Sequence, residues 1–165
     1  MQRTLVFLIL ALSMNLVQSS VSNPVVLTIS GQIAKTNSAD RRNFEIKMRD
    51  LEQLENITIT ATTEHTGTAH FSGPRMRDIL AKAGVKGTAS EVIAIGMDGY
   101  RVRIPLTEFQ LYDVIVATAQ NGKMLNLETK GPLWIMYPID QFPQKLNTMT
   151  TLNRLVWNLI RLDVN

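Results

Sequence analysis

Period-two alternation of apolar and polar residues recurs along the chain, and it restricts the fold to one built mainly from short strands. Over 43–47, Phe44 and Ile46 share one face while charged residues share the other. This period places apolar side chains on one side of a half-buried strand. Strands are predicted over 25–33, 43–47, 57–62, 91–97, 100–104, 114–117, 133–137 and 157–164.

Only one segment carries a clear helical pattern. Pro74 is predicted to open this helix, with Ser72 or Gly73 as its cap, and Gly84 to end it in the left-handed conformation. Its apolar stripe consists of Met76, Ile79, Leu80 and Ala83. Shorter helical segments are predicted over 48–54, 105–111 and 149–156. One clear helix among many strands favours a single α+β domain with a β-rich core.

The beginning of the chain has the pattern of a secretory signal peptide. One positive charge precedes an apolar run over 5–12, and small and polar residues follow. Val17 and Ser19 fit the two small-residue positions of a cleavage site. The run is shorter than the roughly 20 apolar residues of a membrane-spanning helix, which makes an uncleaved anchor the less favoured alternative. We therefore predict a signal peptide over 1–22, a domain over 23–165 and export to the periplasm.

The composition excludes several classes of protein. The 165 residues include no cysteine, so the chain has no disulfide, thiolate nucleophile, iron–sulfur cluster or cysteine zinc site. Its 17 basic and 14 acidic residues are dispersed rather than grouped in blocks. A protein that binds nucleic acid usually concentrates basic residues on one surface, so nucleic acid is not a predicted partner.

Motifs from residue 71 to the last strand resemble, in order, those of the molybdopterin-binding oxidoreductase domain family. They are FSGPRMRDIL (71–80), DGY (98–100), IPL (104–106), NGKML (121–125), GPLWIMYP (131–138) and RLVWNL (154–159). Sulfite oxidases, plant nitrate reductases and periplasmic methionine-sulfoxide reductases are members of this family. The resemblance covers nearly all of 23–165 and implies the β-rich fold of the sulfite oxidase molybdopterin-binding domain, which cradles one molybdopterin in the enzymes.

The resemblance also identifies a missing ligand. In the enzymes, molybdenum is bound by the pterin dithiolene and by one cysteine, which follows the strand before the aromatic-glycine motif. The matching stretch here is 61–65, with Thr62 or Thr63 at the cysteine position. A threonine hydroxyl stays protonated and is a hard donor, unlike a soft thiolate. Metal held by the pterin alone, or by Glu64 or His65, and a pocket kept for another ligand all remain open.

The two histidines and two arginine pairs are the charged candidates for a site. His65 and His70 are predicted in one loop over 64–73, either as a ligand or proton-transfer pair or as exposed loop residues. Arg101 and Arg103 share a strand face. They are candidates for clamping a phosphate or carboxylate, although a solvated face is the favoured interpretation.

A second pair of cations, Arg75 and Arg77, lies in the first turn of the predicted helix. Positive charges at a helix N-terminus oppose the helix dipole. The pair therefore suggests an anionic partner, and a solvent-exposed position explains it nearly as well.

Together these features predict a periplasmic ligand-binding or accessory protein with a molybdopterin-oxidoreductase-like domain and no redox turnover. A divergent molybdopterin-dependent oxidoreductase is the alternative, and an interaction protein that pairs through an exposed strand edge is a third. No cofactor is the favoured expectation, with molybdopterin retained in the alternative. The predicted partners are a small anionic ligand and a membrane-anchored or periplasmic protein. The candidate cleft residues are Thr63, His65, His70, Arg101 and Arg103.

Overall fold

The computed structural model describes residues 23–165, which form three β-sheets and five short helices. The signal peptide predicted over 1–22 lies outside the described residues. No helix within 23–165 has the length and apolar character needed to cross a membrane. The strands are β1 (Val25–Gly31), β2 (Phe44–Lys47), β3 (Asn56–Thr63), β4 (Gly67–Pro74), β5 (Glu91–Gly96), β6 (Arg101–Pro105), β7 (Ile115–Ala117), β8 (Ala119–Gln120), β9 (Lys123–Met124), β10 (Trp134–Met136) and β11 (Leu159–Val164). The helices are α1 (Met48–Glu52), α2 (Met76–Ala83), α3 (Leu106–Leu111), α4 (Pro143–Leu146) and α5 (Met149–Leu152), with a 3₁₀ turn at Leu127–Thr129.

The largest sheet has the strand order β2-β1-β11-β5-β6. Strand β1 runs parallel to β11, and the other pairs in this sheet are antiparallel. Gly31 ends β1 with φ 89°, and a Cβ atom there would lie 2.1 Å from the carbonyl oxygen of Val164. In this strand order the last strand, β11, occupies the middle of the sheet, and its Leu159 and Leu162 are fully buried.

The second sheet has the order β3-β4-β8-β9, and β7 pairs separately with β10. Strands β3 and β4 form an antiparallel hairpin closed by a turn at 64–66. The turn between β8 and β9 contains Asn121 and Gly122, with φ of 49° and 76°. Positive φ at both central residues is what a type I′ hairpin turn requires, and an Asn-Gly pair is well suited to it.

The loop predicted over 64–73 is wrong for most of its length, because β4 occupies 67–73 and only 64–66 form a turn. Ala69 and Phe71 are buried, while His70 between them is exposed, so this segment alternates like the other strands. His70 is therefore a strand residue paired with Thr60 of β3, not a loop residue beside His65.

Helix α2 begins after Arg75, so the predicted opening at Pro74, with a cap at Ser72 or Gly73, is too early. The chain is still extended there, because Pro74 ends β4 and Arg75 forms a bridge with Ile115, the first residue of β7. The predicted apolar stripe and left-handed end are confirmed: Met76, Ile79, Leu80 and Ala83 are buried, and Gly84 has φ 69°.

Candidate functional site

One cavity of about 350 Å³ lies where the β3–β4 turn, the β5–β6 turn, β10 and α5 meet. These segments are far apart in sequence, and the pairing of the strands brings them together. Apolar and aromatic side chains make up most of the lining. The lining residues are Thr63, Glu64, His65, Asp98, Tyr100, Trp134, Met149, Leu152, Asn153, Leu155, Val156 and Trp157.

The β3–β4 turn resolves which threonine faces the cavity. Thr62 donates from its backbone N–H and its hydroxyl to the carboxylate of Asp140, at 2.8 and 2.9 Å, and is not a lining residue. Thr63 is 7% exposed and lines the cavity. Its hydroxyl lies 2.9 Å from that of Thr66 and accepts from the Thr66 N–H at 3.3 Å. The hydroxyl of Thr63 is thus already bound within the turn.

Three rings form one wall of the cavity. The His65 ring packs edge-on against Trp157 with 5.4 Å between centroids, and Trp157 lies 6.5 Å from Trp134. Lys130 is not a lining residue, but its Nζ lies 4.5 Å from the Trp157 centroid and 5.1 Å from that of Trp134. Desolvation in this position lowers the pKa of Lys130. The two indoles therefore already hold one cation by cation–π attraction.

Tyr100 connects the β5–β6 turn to the end of α5. Its hydroxyl donates to the carbonyl oxygen of Asn153 at 2.9 Å, and its N–H donates to Asp98 Oδ1 at 2.9 Å. The Asp98–Gly99 turn beside these contacts joins the antiparallel strands β5 and β6, and Gly99 has φ 85°. The two hydrogen bonds fix this part of the cavity wall.

A polar cluster of Glu108, Tyr137 and Arg154 anchors the segment after α5. Tyr137 is fully buried, and its hydroxyl donates to Glu108 Oε2 at 2.8 Å. Arg154 forms an ion pair with the other Glu108 oxygen, and the two side chains are 15% and 22% exposed. Burial raises the pKa of Tyr137 well above its usual range, and the neighbouring Glu108 carboxylate raises it further. The cluster thus joins α3, β10 and the cavity segment around Leu155.

The raised pKa of Tyr137 predicts a loss of stability in alkali. A tyrosine with a raised pKa in the folded state contributes its full stability below its ordinary pKa of about 10, and that contribution falls as the pH rises further. We expect the unfolding free energy to fall above pH 10 by up to about 1.4 kcal/mol per pH unit more than in a Tyr137→Phe variant. Urea unfolding of both proteins from neutral pH to about pH 11 measures this difference. Parallel curves would contradict it.

The structure brings two of the five candidate cleft residues to the cavity, Thr63 and His65. His70 lies on the exposed face of β4, where its Nδ1 is 3.1 Å from Thr60 Oγ1. Neither Arg101 nor Arg103 is a lining residue. Arg101 lies 3.6 Å from an oxygen of Asp163, and Arg103 is paired with Glu91.

The other arginine pair is also neutralised within the chain. Arg75 contacts Glu55 at 2.7 Å and Asp113 at 3.0 Å, and Arg77 contacts the same Asp113 oxygen at 2.7 Å. These carboxylates offset the unfavourable position of two cations at the start of α2. The pair therefore has a structural explanation that needs no anionic partner.

The lining does not fit a molybdenum-bearing pterin held as in the family's enzymes. Molybdenum there needs a thiolate, and Thr63 offers a hydroxyl already used in the turn. The pterin phosphate needs cations or N–H donors, whereas the charged lining residues are Glu64 and Asp98. Within 23–165, no group of three His, Cys, Asp or Glu residues is placed to hold a metal ion.

Sequence reasoning missed most of the lining. Tyr100 and Trp157 belong to motifs that the sequence analysis identified, DGY and RLVWNL, but neither had a role in the predicted cleft. Met149 and Leu152 come from a segment predicted only as a helix. Their shared role depends on the folding of four distant segments around one space, which no local pattern signals.

Comparisons with known proteins agree with the fold. The model of the oxidoreductase molybdopterin binding domain matches residues 24–142. An uncharacterized oxidoreductase of Bacillus subtilis strain 168, YuiH, is 37% identical over 68 residues, which are 41% of this chain and 34% of that protein. The crystal structure of the sulfane dehydrogenase SoxCD from Paracoccus pantotrophus superposes with a TM-score of 0.64 and 20% identity, covering 84% of this chain and 37% of that one. The chain thus spans about a third of the length of each relative, and the likeness confirms the predicted β-rich α+β fold.

Proposed function

The chain belongs to the oxidoreductase molybdopterin binding domain family, and we propose that it is a periplasmic ligand-binding or accessory protein that uses this fold without redox turnover. The observation that carries the proposal is the position and hydrogen bonding of Thr63. This residue lies on the cavity wall, it is one of the two threonines that the resemblance matches to the family's cysteine, and its hydroxyl is bound to that of Thr66. A hydroxyl that stays protonated and is already bound within the turn is a weaker donor to molybdenum than a thiolate.

The shape of the cavity supports binding of a small molecule. Its volume of about 350 Å³ falls within the range of small-ligand sites, about 300–1,000 Å³. Such sites are mainly apolar with a few convergent polar groups, and this lining has that character. The periplasmic location and a periplasmic or membrane-anchored protein partner are parts of the proposal that rest on the predicted signal peptide.

The test is the metal content of the protein purified from its own periplasm. We expect elemental analysis to find well under one molybdenum atom per chain, and oxidation to release no fluorescent pterin. A family enzyme that carries the cysteine, produced and purified in the same cells, is the positive control. About one molybdenum per chain that cycles between oxidation states would overturn the proposal.

That outcome would establish the alternative, a divergent molybdopterin-dependent oxidoreductase. Family membership and the position of His65 on the cavity wall favour this alternative. It requires that Thr63→Ala or His65→Ala lower the activity while the protein stays folded. The two functions are therefore separated first by metal content and then by these variants.

A further inference from the structure

We propose that the cavity binds a small hydrophobic cation, an organic ammonium compound with an apolar or aromatic substituent. The inference rests on the proposed function, because it names the class of ligand for the same cavity. It departs from the anionic ligand predicted from the arginine pair on β6. Three properties of the lining support it: the sign of its charges, its aromatic surface and its apolar wall.

The charges of the lining favour a cation. Glu64 and Asp98 are acidic, and neither lysine nor arginine is among the lining residues. One Asp98 oxygen accepts the Tyr100 N–H. The other Asp98 oxygen and both Glu64 oxygens have no hydrogen-bond or ion-pair partner in the described part of the chain. These oxygens are free to accept N–H donors from an ammonium group, or to attract it by charge alone.

The rings of the cavity are suited to the same ligand. Trp157 is 36% exposed and Tyr100 45% exposed, so both retain surface that a ligand can contact. The negative face of an aromatic ring attracts ammonium groups, with tryptophan the strongest. Lys130 shows this attraction within the molecule, because its ammonium group lies over both indoles from outside the lining.

The remaining lining selects for an apolar substituent. Met149, Leu152 and Val156 provide aliphatic surface beside the rings. Methionine is unbranched and adapts its shape to different partners. Met149 is 72% exposed, so contact with an apolar ligand would remove a large apolar side chain from water.

The lining itself offers an anionic ligand no lysine or arginine, and Lys130, which lies outside the lining, has its ammonium group over the two indoles. The nearby cation Arg154 is paired with Glu108, and Arg101 and Arg103 are paired with carboxylates outside the lining. A carboxylate or phosphate would instead meet the carboxylates of Glu64 and Asp98. Like charges held in a partly desolvated site repel each other.

Calorimetric titration with three probes of the same skeleton tests the charge of the ligand. The probes are phenethylammonium, phenethyl alcohol and hydrocinnamate, which carry a positive, zero and negative charge. We expect the cation to bind about tenfold or more tightly than the alcohol, and the anion to bind more weakly than either. Equal affinity of cation and alcohol, tighter binding of the anion, or no binding of the cation would each overturn the proposal.

Variants of the two carboxylates test their role. Glu64→Gln and Asp98→Asn should each weaken phenethylammonium binding several-fold and leave the affinity for the alcohol unchanged. Asparagine keeps the acceptor for the Tyr100 N–H, and Glu64 lies in an exposed turn, so both variants are expected to fold. Glu52→Gln, an exposed residue of α1 outside the lining, is the matched control. If Glu52→Gln weakens binding as much as the other two, the proposed contacts are wrong.

The metal analysis and the titrations test the proposed function and the proposed ligand class independently. A molybdenum centre in native protein would overturn the proposed function whatever the probes do. Absence of molybdenum, together with no preference for the cation, would overturn only the ligand class.

Discussion

Replacing Gly73 with alanine is expected to lower the unfolding free energy by about 3 kcal/mol, the upper end of what overpacking usually costs. A Cβ atom at Gly73 would lie 2.1 Å from the carbonyl oxygen of Val116 and 2.9 Å from the Cα of Ala117. Both are backbone atoms, so no side-chain rotation can relieve the contact. Strands β4 and β7 would have to move apart. Urea unfolding followed by tryptophan fluorescence measures the loss.

Gly87→Ala is the matched control. Its Cβ atom would meet nothing within 4 Å, and its φ is not in the left-handed region. Alanine there restricts the unfolded chain, so stability should be unchanged or rise by up to about 1 kcal/mol. If Gly73→Ala unfolds at the same urea concentration as the wild-type protein, the close approach of the two strands is not what requires glycine in the aromatic-glycine motif.

The strands could be predicted from sequence wherever large apolar residues alternate with polar ones. Phe44 and Ile46 in β2 are an example, because their alternation with Glu45 and Lys47 indicates a half-buried strand. The apolar stripe of α2 was equally clear from the sequence. Strand β4 was missed because only Phe71 among its inward residues is large, and glycine, threonine and histidine resemble a loop by composition. Strands β8 and β9 have two residues each, too few for any period to be visible.

The candidate site was predictable only where a motif fixed it. Thr63 and His65 follow from the resemblance, because it matches the family's metal ligand to the stretch 61–65, which spans the end of β3. The availability of the β6 arginines to a ligand could not be predicted from the sequence. Alternation shows which face of the strand carries a side chain, but not which charged residues lie next to that face. The partner of Arg101, Asp163, lies on β11 at the other end of the chain. Pairing between distant strands decides whether such a charge is available to a ligand.

The acidic charge of the cavity lining also depends on contacts between segments that are distant in sequence. Glu64 and Asp98 belong to two different hairpin turns, and each alone is an ordinary exposed turn residue. The fold places both turns at one cavity, next to the indole of Trp157. The sign of the charge in the cavity is therefore a property of the tertiary structure, and it is the reason that the ligand proposed from the structure differs from the one predicted from the sequence.

Glu108→Ala is expected to destabilise the protein by about 3 kcal/mol, the lower end of the cost of breaking a buried ion pair, because this pair is largely buried. The change removes the acceptor of the buried Tyr137 hydroxyl and the partner of the Arg154 guanidinium at once. Both groups would lose a partner that water can hardly replace, since Tyr137 is fully buried and the Arg154 side chain is 15% exposed. Glu52→Ala, at an exposed position of α1, should change stability by less than about 0.5 kcal/mol.

The same variant tests whether this cluster supports the cavity. Arg154 lies between the lining residues Asn153 and Leu155, and its pairing with Glu108 holds this segment against α3. Loss of the ion pair should therefore loosen the wall and weaken phenethylammonium binding in protein that is still folded. Tyr137→Phe keeps the ion pair and should cost only about 1 kcal/mol, with binding unchanged. If Glu108→Ala and Tyr137→Phe reduce stability equally, the hydroxyl contact rather than the ion pair dominates. If neither alters binding while Glu64→Gln does, the cluster does not support the cavity wall.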